Sequence, residues 1–226
     1  MHGKTWIRWV VPLLALSLAG CQPQTPEQAQ STNQQGLAQT GESSQPAAAN
    51  QPQVAYVKMT IKDKGALIIE LDLKEAPKTS ANFLNLVKQG FYDGIRFHRV
   101  EPGFVIQAGD PQSKTLPMGH PALGTGGSGK RIKFEPNNLK HKRGAIGMAR
   151  AQDPDSASSQ FYICLDDLPQ LDGNYVIFGR VVEGLDLIDK IVIGDTIERA
   201  VVLEKWEPKP KQEPTKPEEA KPSDGR

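Results

Sequence analysis

The most informative part of this chain is residues 97–110, which read Phe97-His98-Arg99-Val100-Glu101-Pro102-Gly103-Phe104-Val105-Ile106-Gln107-Ala108-Gly109-Asp110. One arginine lies there among apolar residues, five positions before a phenylalanine and eight before a glutamine. If these residues form a strand, a tight turn at Pro102-Gly103 and a second strand, the side chains of Arg99, Phe104 and Gln107 can meet on one surface. The same alternation directs His98 inward, where we expect a hydrogen-bonded core residue.

The rest of the central region predicts further short strands and two helices. Strands are expected at Val54–Ile61, Ala66–Asp72, Arg96–Val100, Phe104–Ala108, Gly144–Arg150, Gln160–Leu165, Tyr175–Val182 and Arg199–Trp206. A helix is expected over Lys78–Gln89, because Pro77 precedes it and Gly90 follows it, and a second short one over Leu185–Ile191. This content, without repeated βαβ alternation, predicts a mainly β fold: a closed eight-stranded antiparallel barrel capped by two helices.

The N-terminal 20 residues have the composition of a secretory signal peptide. Lys4 and Arg8 precede the apolar run Trp9–Ala19, which is too short for an ordinary membrane-spanning helix. The tetrad Leu18-Ala19-Gly20-Cys21 resembles the lipobox of bacterial lipoproteins. That resemblance implies cleavage before Cys21, lipidation of this cysteine and attachment to a membrane outside the cytoplasm. An uncleaved anchor and a soluble secreted product with a coincidental cysteine are the alternatives.

Two segments of unusual composition flank the region expected to fold. Residues 21–52 are rich in Gln, Pro, Ser, Thr, Ala and Asn with almost no large apolar groups, so we expect a flexible tether. Residues 207–226 contain five prolines and ten charged residues, and we expect an extended, solvated tail. Residues 53–206 remain as a single predicted domain.

Charge and cysteine content narrow the function. Without the 20 N-terminal residues the chain holds 25 basic and 26 acidic residues, a balance that gives no support for nucleic-acid binding. The two cysteines are not expected to pair, because Cys21 lies at the predicted processing site and Cys164 lies in an apolar strand. A buried thiol of that kind behaves as a small hydrophobic side chain.

Two sequence blocks together resemble the cyclophilin family of peptidyl-prolyl cis/trans isomerases. One is residues 97–110, and the other combines Met148-Ala149-Arg150-Ala151 with Ser159-Gln160-Phe161-Tyr162-Ile163-Cys164. The resemblance covers about residues 54–206. It implies the cyclophilin fold and Pro-containing polypeptides as substrates.

Rotation about an X–Pro bond breaks no covalent bond, so its catalyst needs no nucleophile, metal or cofactor. The barrier of about 18–20 kcal/mol comes from the partial double-bond character of the C–N bond. A catalyst must hold the proline and favour a nitrogen that has lost its conjugation, which a guanidinium can do by donating a hydrogen bond towards it. Arg99 is the candidate donor. The alternative is a surface arginine that balances nearby acidic residues.

The resemblance implies roles for the other predicted site residues. Gln107 would orient the Arg99 guanidinium, and the backbone of Arg150 would bind the substrate carbonyl. The remaining predicted substrate-binding residues are Phe104, Val105, Tyr162 and Leu171 around the proline ring, Ala149 and Ala151 along the groove, Gln160 beside Arg150, Gly124 in a glycine-rich loop, and Tyr175 at the place of a family histidine. Each apolar member taken alone is more often core than pocket.

Several positions depart from the residues usual in the family. Tyr162 stands in place of a pocket phenylalanine and adds a hydroxyl, Val105 replaces a methionine, and Arg150 replaces an asparagine. Gln170 stands where many eukaryotic members have a tryptophan that helps to bind cyclosporin. We therefore expect weak binding of that drug.

The leading interpretation is a lipid-anchored, monomeric isomerase that accelerates X–Pro rotation in extracytoplasmic proteins and so assists their folding. The alternative is a non-catalytic chaperone or scaffold of the same fold that binds Pro-containing segments. A barrel that carries a small apolar ligand is a weaker third interpretation, because it gives no reason for the pairing of Arg99 with Gln107.

Overall fold

The computed structural model of the protein describes residues 53–208. The predicted signal peptide, the lipidation of Cys21, the tether and residues 209–226 of the tail lie outside the described residues, and those expectations stay predictions. The strands and the α-helix follow in chain order as β1 Val54–Ile61, β2 Gly65–Asp72, α1 Pro77–Lys88, β3 Arg99–Glu101, β4 Val105–Ala108, β5 Ala145–Met148, β6 Phe161–Cys164, β7 Ile177–Glu183 and β8 Ile197–Leu203. Short 3₁₀ helices lie at Pro111–Lys114, Pro154–Ser156, Pro169–Leu171 and Leu185–Lys190.

The eight strands form one antiparallel sheet in the order β3-β4-β6-β5-β7-β2-β1-β8. The predicted closed barrel is wrong, because the edge strands β3 and β8 share no ladder and the sheet is an open half-barrel. The residues just before those strands make one isolated bridge, between Arg96 and Thr196. Four backbone hydrogen bonds also join residues 94–97 to residues 194–197. This contact precedes β3 and reaches only the first residue of β8, and β3 and β8 themselves do not pair.

Helix α1 packs one face against the sheet. Pro77 lies in its first turn, where the missing N–H costs no hydrogen bond, and Gly90 follows it with φ +65°, a left-handed conformation that ends helices. The buried residues are Thr79, Ser80, Phe83, Leu86 and Val87. The second predicted helix is present as the 3₁₀ helix Leu185–Lys190. No helix within residues 53–208 has the length and apolar character needed to cross a membrane.

Side-chain alternation along the strands separates two apolar clusters on opposite faces of the sheet. Ile106 and Ile163 are paired in the ladder and belong to the main core, which they share with Phe83 of α1. The next pair along, Val105 and Cys164, belongs to a second cluster. That cluster also contains Ala145, Tyr162, Leu168 and Ile177, and Phe104, Leu139, Ala149, Leu171 and Tyr175 pack against it. This second face carries the candidate site.

His98 faces the interior as predicted, because both ring nitrogens are shielded from solvent. Neither ring nitrogen makes the predicted hydrogen bond at regular distance and angle, although the Gln160 side chain and the Arg96 backbone remain near the ring. The ring lies against the glycine-rich loop, where a Cβ on Gly124 would be 3.6 Å from the imidazole. Burial lowers the pKa of His98 from its usual 6.5, and the negative charge of Asp110 opposes this.

Candidate active site

The register of the sheet aligns Arg99, Gln107, Tyr162 and Gly147 across four neighbouring strands. Arg99 of β3 pairs with Gln107 of β4, Gln107 pairs with Tyr162 of β6, and Tyr162 pairs with Gly147 of β5. Directly paired residues of antiparallel strands present their side chains on the same face. The turn that sets this register has Gly103 at φ +71°, a conformation that glycine adopts without strain.

Two adjoining cavities contain every catalytic and substrate-binding residue that the sequence predicts. The first, of about 120 Å³, is lined by Arg99, Phe104, Val105, Gln107, Ala149, Arg150, Tyr162, Leu171 and Tyr175. The second, of about 310 Å³, is lined by Gln107, Gly124, Thr125, Gly126, Ala149, Arg150, Ala151, Ser156, Ser158 and Gln160. Gln107, Ala149 and Arg150 line both cavities, so a more apolar cavity and a more polar one adjoin along these three residues.

The Arg99 side chain is partly exposed and loosely held at the rim of the apolar cavity. Its side chain is 45% exposed, and Nε lies 3.6 Å from a carboxylate oxygen of Glu101. Nη1 donates to Gln107 Oε1 over 3.4 Å, a long hydrogen bond, and the guanidinium carbon lies 5.7 Å from the centre of the Phe104 ring. The cation therefore stands beside the apolar wall with N–H donors that are not saturated by strong protein contacts.

Gln107 is fixed more firmly than Arg99, through a chain of amide hydrogen bonds. Its Nε2 donates to Gln160 Oε1 over 2.9 Å, and Gln160 Nε2 donates in turn to the carbonyls of Gly124 and Gly126 over 2.9 and 2.7 Å. Those two glycines donate their N–H groups to the carboxylate of Asp110. A Cβ on Gly126 would be 2.2 Å from that carboxylate, so the loop fits only with glycine there.

Sequence reasoning missed Asp110, although this residue organises the loop. It is completely buried, and its second carboxylate oxygen accepts the N–H of Gln112 at the start of the 3₁₀ helix Pro111–Lys114. The sequence does contain a signal, because an aspartate directly before a proline after an apolar strand is typical of a helix N-cap.

The segment 149–151 is tied to the structure on both sides of Arg150. The N–H of Ala149 donates to the Gln160 carbonyl over 2.9 Å, and the N–H of Ala151 donates to Ser156 Oγ over 2.8 Å. The Arg150 guanidinium donates to the carbonyls of Ala151, Gln152 and Asn174 and lies 4.7 Å from the centre of the Tyr175 ring. Arg150 therefore holds two loops together at the edge of the apolar cavity.

Comparison with known proteins identifies the family to which this fold and site belong. A family model described as cyclophilin type peptidyl-prolyl cis-trans isomerase/CLD matches residues 56–213. The chain belongs to the cyclophilin family. Its enzyme class is therefore peptidyl-prolyl cis-trans isomerase, which confirms the leading interpretation of the sequence in this respect.

Individual relatives support this assignment. A peptidyl-prolyl cis-trans isomerase of Helicobacter pylori is 48% identical over 147 residues, which cover 63% of this cyclophilin and 84% of the relative. A crystal structure of a cyclophilin type isomerase of Cryptosporidium parvum is 30% identical with a TM-score of 0.60, and covers 68% of this chain and 99% of the other. A second structure of the Cryptosporidium protein, in the presence of the dipeptide Ala-Pro, is 32% identical with a TM-score of 0.58 and covers 66% of this chain and 99% of the other.

One hydrogen-bond network in this cyclophilin was not predicted from the sequence. Tyr162 Oη lies 2.8 Å from His141 Nε2, and His141 Nδ1 lies 2.8 Å from Asp172 Oδ1. The sequence predicts Tyr162 as a pocket residue and indicates no role for His141 or Asp172. The signal was the extra hydroxyl at a position expected to be buried, since a buried tyrosine hydroxyl usually has a hydrogen-bond partner.

A larger cavity shares no lining residue with the two cavities of the candidate site. It measures about 500 Å³ and is lined by Glu70, Asp72, Leu139, Lys140, Lys142, Arg143, Ala145, Ile177, Gly179, Arg180 and Val181. None of the predicted site residues lines it. Two of the charged side chains that line it form an ion pair, since Arg180 donates to Glu70 over 2.9 Å. Within residues 53–208, no group of three or more His, Cys, Asp or Glu side chains is placed to hold a metal ion.

Proposed function

We propose that this cyclophilin accelerates X–Pro rotation in extracytoplasmic proteins, with Arg99 as the hydrogen-bond donor to the reacting nitrogen. The observation that carries the proposal is the position of the guanidinium beside Phe104, at the rim of a cavity walled by apolar side chains. A small apolar ring can enter that cavity while the atoms next to it remain within reach of the cation.

To act as a catalyst, Arg99 must stabilise the twisted amide more than either planar isomer. In either planar isomer the nitrogen lone pair is conjugated with the carbonyl and accepts hydrogen bonds poorly. As the bond rotates, the lone pair localises on nitrogen and becomes an acceptor. A donor placed on that side therefore binds the transition state more strongly than either ground state, which is the condition for lowering the barrier.

The other residues of the site hold the substrate and the donor. Phe104, Val105, Tyr162 and Leu171 would surround the proline ring, while Gln107 keeps the guanidinium near it. The polypeptide on one side of the proline would follow the segment 149–151 towards the polar cavity. Its backbone carbonyl would accept a hydrogen bond from the Arg150 backbone, beside Gln160.

The proposal includes a membrane anchor and a monomeric state. The lipobox-like tetrad that ends at Cys21 supports lipidation, which would keep the domain near polypeptides that have crossed the membrane. Cells fed a labelled fatty acid should incorporate the label into the wild-type chain and not into Cys21→Ser. An unlabelled wild-type chain would reject the anchor and leave the isomerase proposal intact.

Weak binding of cyclosporin is also part of the proposal. Gln170 stands at the family's tryptophan position in the 3₁₀ helix Pro169–Leu171, and it removes a large apolar contact for the drug. A Gln170→Trp variant should bind cyclosporin more tightly than wild type in a titration. Equal affinities would show that this residue does not set drug binding.

The decisive experiment compares Arg99→Ala with Arg199→Ala in a proline-peptide isomerisation assay. Arg199 is exposed on β8, so its variant controls for the loss of one surface arginine. Arg99→Ala should lower kcat/KM by roughly 100-fold, the usual cost of removing one transition-state donor. Arg99→Lys should lose most of the activity too, because an ammonium lacks the planar fork of the guanidinium.

The same variants separate the isomerase from a non-catalytic binding module. Unchanged turnover in Arg99→Ala would reject Arg99 as the donor. A wild-type chain that binds Pro-containing peptides but gives no rate above the uncatalysed background would favour the chaperone or scaffold.

A further inference from the structure

The floor of the apolar cavity is connected to a surface carboxylate through a buried histidine. His141 is 1% exposed, with Nε2 at 2.8 Å from Tyr162 Oη and Nδ1 at 2.8 Å from Asp172 Oδ1. The backbone N–H of His141 donates to the same Asp172 oxygen over 2.9 Å. Two hydrogen bonds to one carboxylate oxygen therefore fix both the main chain and the ring of His141.

The direction of these hydrogen bonds follows from the groups that make them. The two bonds from His141 lower the pKa of Asp172 below its usual 3.8, so at neutral pH its carboxylate can only accept. His141 Nδ1 must then carry a hydrogen, which in a neutral imidazole leaves the Nε2 lone pair as an acceptor. Burial raises the pKa of Tyr162, so its hydroxyl keeps its proton and donates it to Nε2.

The Tyr162 ring fills the space above Gly147. A Cβ on Gly147 would be 2.2 Å from Tyr162 Cζ and 2.3 Å from Oη, so the hydroxyl end occupies space that only glycine provides. The rings of His141 and Tyr162 lie nearly parallel, 6.1 Å between centroids and 12° between planes. Tyr175 meets the Tyr162 ring edge-on, also at 6.1 Å.

We propose that His141 and Asp172 are positioning residues of this isomerase, which act through the Tyr162 hydroxyl to hold the floor of the cavity that receives the proline ring. The inference rests on the proposed function and adds two residues that do not line the cavity. His141 supplies the acceptor that a buried hydroxyl requires, and Asp172 selects the tautomer that supplies it. A phenylalanine at position 162 would need neither residue.

The two residues have their main effect on substrate binding rather than on the rate of rotation. The reacting nitrogen faces Arg99 at the rim, whereas Tyr162 contacts the ring from below. Misplacing the floor weakens the grip on the proline in both planar isomers and in the twisted state alike. A loss of binding energy that is equal in the ground states and the transition state raises KM and leaves kcat nearly unchanged.

The test is a double-mutant cycle in the full chain with His141→Phe and Tyr162→Phe. His141→Phe keeps a ring and removes the acceptor, so the buried Tyr162 hydroxyl is left unpaired and KM should rise about tenfold. In the Tyr162→Phe background the same change should alter KM by less than about twofold, because no hydroxyl remains to be paired. His141→Gln can place an amide oxygen near the position of Nε2 and should restore KM to near the wild-type value.

Each outcome of the cycle decides the inference. A rise in KM with His141→Phe that is equal in both backgrounds, or absent in the wild-type background, overturns it. A fall in kcat without a change in KM also overturns it. If His141→Phe fails to fold, Asp172→Ala decides by the same comparison, since it removes the acceptor that selects the His141 tautomer. It should raise KM in the wild-type background and leave KM unchanged when position 162 is phenylalanine, and an equal effect in both backgrounds would overturn the inference.

Two further readouts separate this inference from the proposed function. The same cycle can be measured as the Kd for a Pro-containing peptide, which needs no turnover, so an inactive wild-type chain rejects the isomerase without deciding the role of His141. Nitrogen-15 NMR of the histidines should show the neutral imidazole of His141 as the Nδ1–H tautomer. Observation of the Nε2–H tautomer would overturn the inference, because the Tyr162 hydroxyl then could not donate to that nitrogen.

Discussion

Gln160 accepts a hydrogen bond from Gln107 across 2.9 Å. Strand β4, which carries Gln107, is thereby connected to the glycine-rich loop. The Gln160 amide is fully engaged, since its nitrogen donates to two loop carbonyls while its oxygen accepts from Gln107. Gln107 Nε2 is thus held, and its Oε1 is directed towards Arg99. The position of the guanidinium therefore depends on a residue that it does not contact.

Replacement of Gln160 by alanine should reduce catalysis without unfolding the protein. Gln107 would lose its fixed partner and Arg99 would lose its orientation, a change of roughly 1.5 kcal/mol in transition-state stabilisation or about tenfold in kcat/KM. Gln89→Ala is the matched control, because Gln89 is exposed after helix α1. The measurement is peptide isomerisation kinetics together with thermal unfolding.

Retention of full kcat/KM in Gln160→Ala would show that Gln107 orients Arg99 without help. A loss of the same size in Gln89→Ala would show that the effect is not specific to the site.

Asp110→Asn should destabilise the fold as well as the site. The buried carboxylate accepts three backbone N–H groups, from Gln112, Gly124 and Gly126, and an asparagine amide would direct two donors of its own at some of them. Leaving such buried donors unpaired costs roughly 2–3 kcal/mol, which denaturant unfolding can measure. The exposed Asp186→Asn is the control and should change the free energy of unfolding by less than about 0.5 kcal/mol.

The sequence predicts those parts of the site that depend on strand periodicity. Arg99, Phe104 and Gln107 line one cavity because a short hairpin with a Pro-Gly turn admits few registers, and that register then brings Tyr162 beside Gln107. The strand boundaries agree with expectation to within about three residues for the same reason.

Periodicity cannot predict contacts between loops. His141 and Asp172 are 31 residues apart, in connections without regular structure, and nothing in their local sequences indicates that they meet. Closure of the barrel failed as a prediction for a related reason. The count of strands is a local property, whereas closure requires β3 and β8 to pair along their length. The structure joins them only by a short contact of residues 94–97 with residues 194–197, before β3 begins and no further than the first residue of β8.

The stability of the fold should fall as the pH drops through the range in which an ordinary histidine titrates. Burial lowers the pKa of His98 from 6.5, so below that pH the unfolded chain takes up a proton that the folded chain resists. The contribution of the neutral, buried His98 to the free energy of unfolding is therefore fully present above about pH 7. It is lost as the pH falls from 6.5 towards the lower pKa of the folded state. His98→Gln should therefore show a flatter pH dependence of the free energy of unfolding between about pH 7 and 5 than wild type.

His120→Gln is the matched control, since His120 is exposed, and it should retain the wild-type slope. The carboxylates whose pKa is lowered, Asp167, Asp172 and Asp189, act below 3.8 and do not contribute in this range. A wild-type slope in His98→Gln would assign the pH dependence to other groups.

The thiol of Cys164 should be inert in the folded protein even under mildly alkaline conditions. It is completely buried in the second apolar cluster, opposite Val105 in the ladder, and burial raises its pKa to about 12. Only the thiolate reacts with disulfide reagents, so at pH 8 both protonation and lack of access suppress the reaction. In a Cys21→Ser variant, where Cys164 is the remaining thiol of the chain, a disulfide reagent should react at the rate of global or local opening and become fast in denaturant. A folded-state rate near that of an exposed cysteine would mean that β4 and β6 separate readily, and the cavity wall that they form could not then hold a proline ring in one place.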